Sequence, residues 1–279
     1  MIMKLQRVLS LRKSSLTKEL RMSGHESPVS VPIADCSFCP FRGKTLLMGR
    51  CMPGDTCVLV ESGRQIDRFF RINPAYAEQY LHDVFWERRA IAVRYAPQKA
   101  LADLIHDEDE VVRRAVAYRI PQTQLHQLID DPDREVRMTV ADRIAPEQLE
   151  KLANDPDYIV RLTIARRLPA GRLFRLIRDK DLQVRKVVAE RLPEVSLGLM
   201  AHDDAPEVRR ILAERMSPED AVTLLNDTDW VVRYTVVQRV APEALACLLD
   251  DPEPDVRAAV RERLTSHSQA ADGNEKPET

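Results

Sequence analysis

The chain has 279 residues, of which 44% are hydrophobic and 31% are charged, and its formal net charge is −2. A charge this close to zero gives no overall attraction to nucleic acid or to an anionic membrane. No apolar run in the sequence approaches the roughly 18 to 20 residues that a transmembrane helix needs.

The first 30 residues are basic and rich in serine. They lack the continuous apolar stretch and the small-residue cleavage site of a secretory signal. We therefore predict that residues 1–30 form a flexible extension and that the protein is cytoplasmic.

Four of the five cysteines are crowded into a short segment with the spacing C-x2-C-x11-C-x5-C. They are Cys36, Cys39, Cys51 and Cys57. Without an export signal, such a cluster favours a metal site over a set of disulfides. We predict a small metal-cluster domain at residues 31–66, in which Gly43 and Gly49 let the backbone fold back between the second and third cysteine.

Two metal centres compete for these cysteines. A structural zinc site usually has two C-x2-4-C pairs, and C-x5-C is a poor second pair. An iron–sulfur cluster tolerates unequal spacing, and Cys39-Pro40 is similar to the Cys-Pro of bacterial ferredoxins. The residues alone favour iron–sulfur but leave zinc open. Five apolar residues are predicted to form a shell around the centre: Phe38, Phe41, Leu46, Leu47 and Met48.

The rest of the chain is dominated by a repeat of 24 residues. An aspartate recurs eight times at this step, at Asp83, Asp107, Asp131, Asp155, Asp179, Asp203, Asp227 and Asp251. An arginine keeps the same step, at Arg89, Arg113, Arg137, Arg161, Arg185, Arg209, Arg233 and Arg257. So strict a period predicts one unit copied and stacked into a solenoid, over residues 67–264.

Each repeat is predicted to contain one α-helix of about three turns. In the copy that begins at Asp131, this aspartate is placed to cap a helix that starts at Pro132. Val136, Val140 and Ile144 then recur every four residues and form one apolar stripe.

A proline follows seven of these helices, and after it a pair of apolar residues lies three apart, as in Leu149 and Leu152. A three-residue step suits a 3₁₀ helix. Two full helices need about 34 to 47 residues, more than this repeat has. The sequence therefore predicts an all-α solenoid of one α-helix and one short helix per repeat, without a sheet.

The motif D-P-D-x-x-V-R-x-x-V-A-x-R-[IL], followed by P and L-x-x-L, covers about residues 83–264 and resembles the leucine-rich repeat variant family. The resemblance implies a right-handed superhelix of alternating α and 3₁₀ helices. Some members carry a [4Fe-4S] segment before the repeats, and the four-cysteine segment looks like it. The resemblance thus implies a [4Fe-4S] cluster on Cys36, Cys39, Cys51 and Cys57.

The periodic charged residues are predicted to form structural contacts between neighbouring repeats, because a unit that is copied keeps the contacts that hold it to the next unit. A second arginine row, which Tyr95 interrupts, is given the same role: Arg71, Arg119, Arg143, Arg167, Arg191, Arg215, Arg239 and Arg263. Partner contacts are instead expected at variable positions such as Tyr158, Arg166, Arg178, Lys180, Lys186, Trp230, Tyr234 and Gln238. Cys247 is predicted to be an incidental exposed thiol, and residues 265–279 a disordered tail.

No nucleophile and base converge in the sequence, so we expect neither an enzyme nor a small-molecule substrate. The favoured interpretation is an iron–sulfur protein whose solenoid binds a protein partner, in electron transfer or redox sensing. A zinc-capped interaction scaffold is the first alternative. A nucleic-acid-binding solenoid ranks last, because acidic and basic residues are interleaved in every repeat.

Overall fold

A computed structural model of the chain describes residues 31–272, so the predicted extension at residues 1–30 lies outside the described residues. Within that range the chain is helical, and its one β feature is an isolated bridge between Met52 and Thr56. The long helices are α1 Gly63–Ile72, α2 Trp86–Tyr95, α3 Glu110–Arg119, α4 Arg134–Arg143, α5 Tyr158–Arg167, α6 Leu182–Arg191, α7 Pro206–Arg215, α8 Trp230–Val237 and α9 Pro254–Asp272.

Short helices alternate with the long ones. The 3₁₀ helices are Pro74–Tyr80, Gln98–Ala100, Ala102–Leu104, Gln122–Leu128, Pro146–Leu152, Ala170–Leu176, Glu194–Met200, Val222–Leu224 and Pro242–Leu248, and a single α-turn, Pro218–Ala221, precedes the eighth of them. The predicted solenoid of one α-helix and one short helix per repeat is confirmed.

The core runs continuously through the array as stacked layers. In the repeat of α4, Val136, Val140, Ile144 and Leu149 are fully buried, and Leu152 is 2% exposed. The four-residue stripe of the α-helix and the three-residue step of the short helix therefore face the same interior, as the spacing predicts.

The predicted helix cap is wrong by two residues. Helix α4 begins at Arg134, and its cap is Asp133, whose side chain accepts hydrogen bonds from Glu135 N–H (2.9 Å) and Val136 N–H (3.1 Å). Asp131 instead accepts a hydrogen bond from Asp133 N–H and turns toward the preceding repeat. Asp131 and Asp133 are both suited to the start of a helix. Only the long-range partner of Asp131 decides which of the two caps α4.

That partner is Arg113. Its Nε and Nη2 donate to the two carboxylate oxygens of Asp131 (2.7 and 3.0 Å), and its Nη1 donates to the carbonyl of Asp107 (2.8 Å). The same contacts recur along the array in the pairs Arg89–Asp107, Arg113–Asp131, Arg137–Asp155, Arg161–Asp179, Arg185–Asp203, Arg209–Asp227 and Arg233–Asp251. We call this row of bidentate pairs the Arg–Asp ladder.

The second arginine row caps the helices. Arg167, at the end of α5, donates to the carbonyls of Ala141 (2.6 Å) and Ile144 (2.9 Å) at the end of α4. These carbonyls have no partner within their own helix. Backbone carbonyls accept hydrogen bonds in the same way from Arg119, Arg143, Arg191, Arg215, Arg239 and Arg263, whereas Arg71 binds Asp67 within α1. The predicted structural role therefore holds for the ladder arginines and for every member of the second row except Arg71.

Residues 265–272 of the predicted disordered tail are helical instead, because α9 continues to Asp272, and residues 273–279 lie outside the described residues. In the preceding repeat, Pro242 opens the short helix, whereas the equivalent position after α9 is Ser266. With no proline to stop it, the last helix extends past the array. None of the helices within residues 31–272 combines the length and apolar character that crossing a membrane requires.

Candidate metal centre

The four clustered cysteines lie in an irregular lobe, residues 32–62, that precedes α1. Cys36 and Cys39 are joined by a turn in which Cys39 N–H donates to the Cys36 carbonyl (3.4 Å). Ahead of that turn, the Asp35 carboxylate accepts a hydrogen bond from Ser37 N–H (2.8 Å). A five-residue π-helix, Arg42–Leu46, follows.

Glycines reverse the chain between the cysteines, at positions that differ in part from the prediction. Gly49 (φ 66°) and Gly54 (φ 79°) adopt left-handed backbone, whereas Gly43 does not. Such backbone favours glycine because it has no Cβ. Gly49 brings Cys51 back to the lobe, and Gly54 turns the chain between Cys51 and Cys57.

The four thiols differ in burial. Cys51 and Cys57 are 7% and 3% exposed, and Cys51 belongs to the same apolar core as the array. Cys36 and Cys39 are half-buried at the lobe surface. Cys39 nevertheless packs against that core, so the burial of the thiols is graded.

The four thiols are close enough to influence one another. Burial, followed by the neighbouring Cys57, Cys39 and Cys36, raises the pKa of Cys51 to about 11. Burial and then Cys39 and Cys57 also raise the pKa of Cys36. Cys51 and Cys36 therefore stay protonated at neutral pH unless a metal centre offsets the charge of their thiolates.

This donor set fits a multi-iron centre better than a single ion. Tetrahedral zinc, with Zn–S bonds of about 2.3 Å, needs its sulfurs about 3.8 Å apart. Within residues 31–272, no three Cys, His, Asp or Glu side chains gather closely enough to hold one metal ion. An iron–sulfur cluster binds each thiolate to a different iron and so accepts a wider spread.

The predicted apolar shell is only partly correct. Phe41 is buried and makes edge-on contacts with Phe69 and Tyr76, each with ring centroids 5.1 Å apart. Leu46 packs against the core. The other three predicted members point outward: Phe38, Leu47 and Met48 are 96%, 80% and 70% exposed.

Two polar side chains that sequence reasoning missed join the lobe to the array. Gln65 stands where the periodicity of the ladder would place an arginine, and its Nε2 donates to the Pro32 carbonyl (2.8 Å). Asn73 Nδ2 donates to the carbonyls of Arg50 (2.8 Å) and Phe69 (3.0 Å).

Asn73 therefore caps the end of α1, which in later repeats is the role of an arginine. Tyr95 occupies that arginine's position and donates its hydroxyl to Asp67 (2.8 Å). The signal available in the sequence was the break in both arginine rows at this point.

Of the eight variable positions predicted for partner contacts, seven are exposed and Lys186 is half-buried. Trp230 and Tyr234 lie on one helix with 42% and 38% exposure. Cys247 is an exposed thiol far from the lobe in sequence, as predicted.

Known proteins resemble both parts of the chain. Residues 32–79 match the family described as "LRV protein FeS4 cluster". A solved structure described as "a leucine-rich repeat variant with a novel repetitive protein structural motif" is 62% identical, with a TM-score of 0.74; the match covers 84% of this chain and 100% of that one.

A protein of Rhodobacter capsulatus is also similar to this chain. It is called "Uncharacterized 27.7 kDa protein in nifB 3'region" and is 36% identical over 86 residues. That match covers 31% of this chain and only 35% of the Rhodobacter protein.

Proposed function

Because the chain belongs to the leucine-rich repeat variant family and carries an iron–sulfur domain, we propose that it exchanges electrons with a protein partner. Its cofactor is a [4Fe-4S] cluster, which supplies one-electron redox chemistry when bound. We assign Cys36, Cys39, Cys51 and Cys57 as its ligands.

The uneven burial of the four thiols is the observation that carries the proposal. A centre that only closed the apolar end of the array would turn all its ligands inward. Here Cys51 and Cys57 are buried, while Cys36 and Cys39 are half-buried, with Cys39 also packed against the core. Partly exposed ligands give a partner close access, which electron transfer requires.

The surroundings of that pair support docking. Phe38, which lies between Cys36 and Cys39 in the chain, is 96% exposed, and Leu47 and Met48 of the same lobe are exposed as well. Exposed apolar side chains among polar ones are typical of an interaction site. Three basic residues of the lobe are also exposed: Arg42, Lys44 and Arg50.

Charged residues of both signs act on the Cys36 thiol. Burial, Cys39, Cys57 and Asp35 raise its pKa, and Arg42 opposes them with the smallest effect. Arg42 also donates to the Ser37 carbonyl (3.3 Å), which ties it to the turn between Cys36 and Cys39.

The test is a redox titration of protein purified without oxygen, after iron, sulfide and zinc analysis. We expect about four irons and four sulfides per chain, a broad visible absorption and a reversible one-electron couple. Cys51→Ser should lose the iron, and Cys247→Ser should keep it. An intact cluster without a reversible couple would make the centre structural, and zinc without visible absorption would make the protein a zinc-capped scaffold.

A further inference from the structure

One repeat differs sharply from its neighbours in charge. Residues 167–190 contain seven basic and three acidic side chains, a formal net charge of +4. The repeat before it, residues 143–166, has four of each, and the repeat after it, residues 191–214, has three basic and five acidic side chains. We call residues 167–190 the basic repeat.

Only two of the seven cations belong to the framework that all repeats share. Arg185 is the ladder arginine and binds Asp203 at 2.8 Å. Arg167 caps the end of α4. The other five are additional: Arg172, Arg175, Arg178, Lys180 and Lys186.

The additional cations exceed the acidic side chains available to them. Arg172 and Arg175 share the single carboxylate of Glu150, at 3.4 and 3.0 Å. Within residues 31–272, Arg178 and Lys180 form no ion pair. They are exposed, so their charge faces solvent.

Lys186 also forms no ion pair in that range, and comparison with the next repeat gives the reason. One turn of the array later, the equivalent Arg210 binds Asp229 at 2.9 Å. The residue equivalent to Asp229 beside Lys186 is Ala205.

The cations line one edge of the array. Arg172 and Arg175 lie three residues apart in the 3₁₀ helix Ala170–Leu176, where such residues are on the same side. Arg178 follows after three more residues. Two clefts of about 250 and 540 Å³ open on this edge, and Arg178 and Lys180 line both.

The carboxylates in these clefts leave the positive charge largely uncompensated. Asp179 is bound on both oxygens by Arg161, at 2.7 and 2.9 Å. Asp155, in the smaller cleft, is bound in the same way by Arg137, and Asp203, in the larger one, by Arg185. Asp204, in the larger cleft, is the exposed acid that opposes the cations.

The fold does not require these charges. Other repeats have Asn154 and Asn226 in the position of Arg178, and Thr228 in the position of Lys180. Since the framework accepts neutral residues there, the cations are available for recognition.

We propose that the basic repeat docks a short acidic segment of the partner protein, whose carboxylates contact Arg175, Arg178 and Lys180. The inference rests on the proposed function, which takes the partner to be a protein. An acidic peptide suits the patch better than a nucleic acid does. The patch is one repeat wide, and the acidic repeat that follows it would repel a long strand with a charge on every nucleotide.

The test is binding of a fluorescent hexaglutamate peptide to the full chain, measured by anisotropy at low and at physiological salt. In the double variant Arg178→Asn/Lys180→Thr, each new residue is one that another repeat carries in that position, which protects the fold. We expect roughly five- to tenfold weaker binding, since two exposed ion pairs are lost. Asp204→Asn should bind the peptide more tightly.

The control is Lys99→Thr/Arg261→Gln, which removes two exposed cations far from the basic repeat along the chain. It should bind the peptide like the unaltered chain. Equal weakening in both double variants, or no weakening in the first, would overturn the proposal. A single-stranded oligonucleotide of equal charge that binds more tightly than the peptide, and loses that binding in the first variant, would also overturn it.

This test is independent of the redox chemistry. The double variant retains all four clustered cysteines, so its iron content and reduction should match those of the unaltered chain. A failed redox titration would refute electron transfer and leave the peptide result standing, and the reverse also holds.

Discussion

Arg161→Met would measure what the Arg–Asp ladder contributes to stability. Arg161 is 3% exposed, and its Nε and Nη2 donate to both oxygens of Asp179 while its Nη1 donates to the Asp155 carbonyl (2.7 Å). The hydrogen bonds to Asp179 raise the pKa of the Arg161 guanidinium although burial opposes the charge. Arg161 therefore keeps its positive charge in the folded chain.

Methionine preserves most of the volume but leaves the buried Asp179 carboxylate without its guanidinium. Removing one partner of a buried ion pair costs about 3–5 kcal/mol. Asp179 Oδ1 keeps its hydrogen bond from Asp181 N–H (2.8 Å), which favours the lower half of that range. Arg161→Met/Asp179→Asn should recover part of the loss, because the second change removes the uncompensated charge.

Arg257→Met is the matched control. Arg257 occupies the same repeat position at the end of the array, where the periodic aspartate is replaced by Glu275. Within residues 31–272 it donates to the carbonyls of Asp251 and Pro252 and to no carboxylate. Losing these bonds should cost about 1 kcal/mol.

The assay is urea unfolding followed by circular dichroism, with all variants in the same state of cluster occupancy. The shift in midpoint is the primary quantity, since repeat arrays need not unfold in one step. If Arg161→Met shifted the midpoint no more than Arg257→Met, the carboxylate half of the ladder would contribute nothing, and the reasoning would be refuted.

Three further predictions concern single positions. Asn73→Ala removes the bonds to Arg50 and Phe69 and should lower the cluster lobe's resistance to proteolysis while leaving the urea midpoint of the array nearly unchanged; a large midpoint shift would contradict this. Ala205→Asp restores the helix cap that other repeats have and should raise the free energy of unfolding in urea by about 1 kcal/mol. An unchanged free energy of unfolding would refute this expectation. Hydrogen bonds from Arg233, with a smaller contribution from Glu253 N–H, hold the pKa of Asp251 below its usual 3.8, so the stability from this pair is present above that pH and is lost as pH falls through the lowered pKa. In Asp251→Asn, the urea midpoint should therefore fall less steeply as the pH is lowered through the acid range. An unchanged slope would contradict the assignment.

Much of the structure of the array could be predicted from the sequence because the same pattern of residues recurs in eight repeats. The four-residue stripe, the three-residue step and the prolines together specify two helices of unequal length and no sheet. The assignment of the cap failed because Asp131 and Asp133 have equal local preferences for a helix start. What separates them is Arg113, which lies 18 residues before Asp131, and local reasoning cannot see such a contact.

The lobe resisted prediction for the opposite reason. It has no periodicity, so the exposure of Phe38, Leu47 and Met48 could not be deduced from their apolar character. The cysteine spacing predicted a metal centre, but the residues alone left zinc open, and the [4Fe-4S] assignment came from the family resemblance. Which cysteines are buried depends on tertiary contacts such as the packing of Phe41 against Phe69 of α1.

Exceptions to a strict period carry more functional information than the period itself. At the first junction the ladder arginine becomes Gln65 and the capping arginine becomes Tyr95, and there the array accepts the cluster lobe instead of another repeat. Beside the basic repeat the capping aspartate becomes Ala205, and Lys186 loses its partner. Since the shared framework satisfies its own charges through the ladder, departures from it are free to serve a cofactor or a partner, and these two junctions are where such departures concentrate.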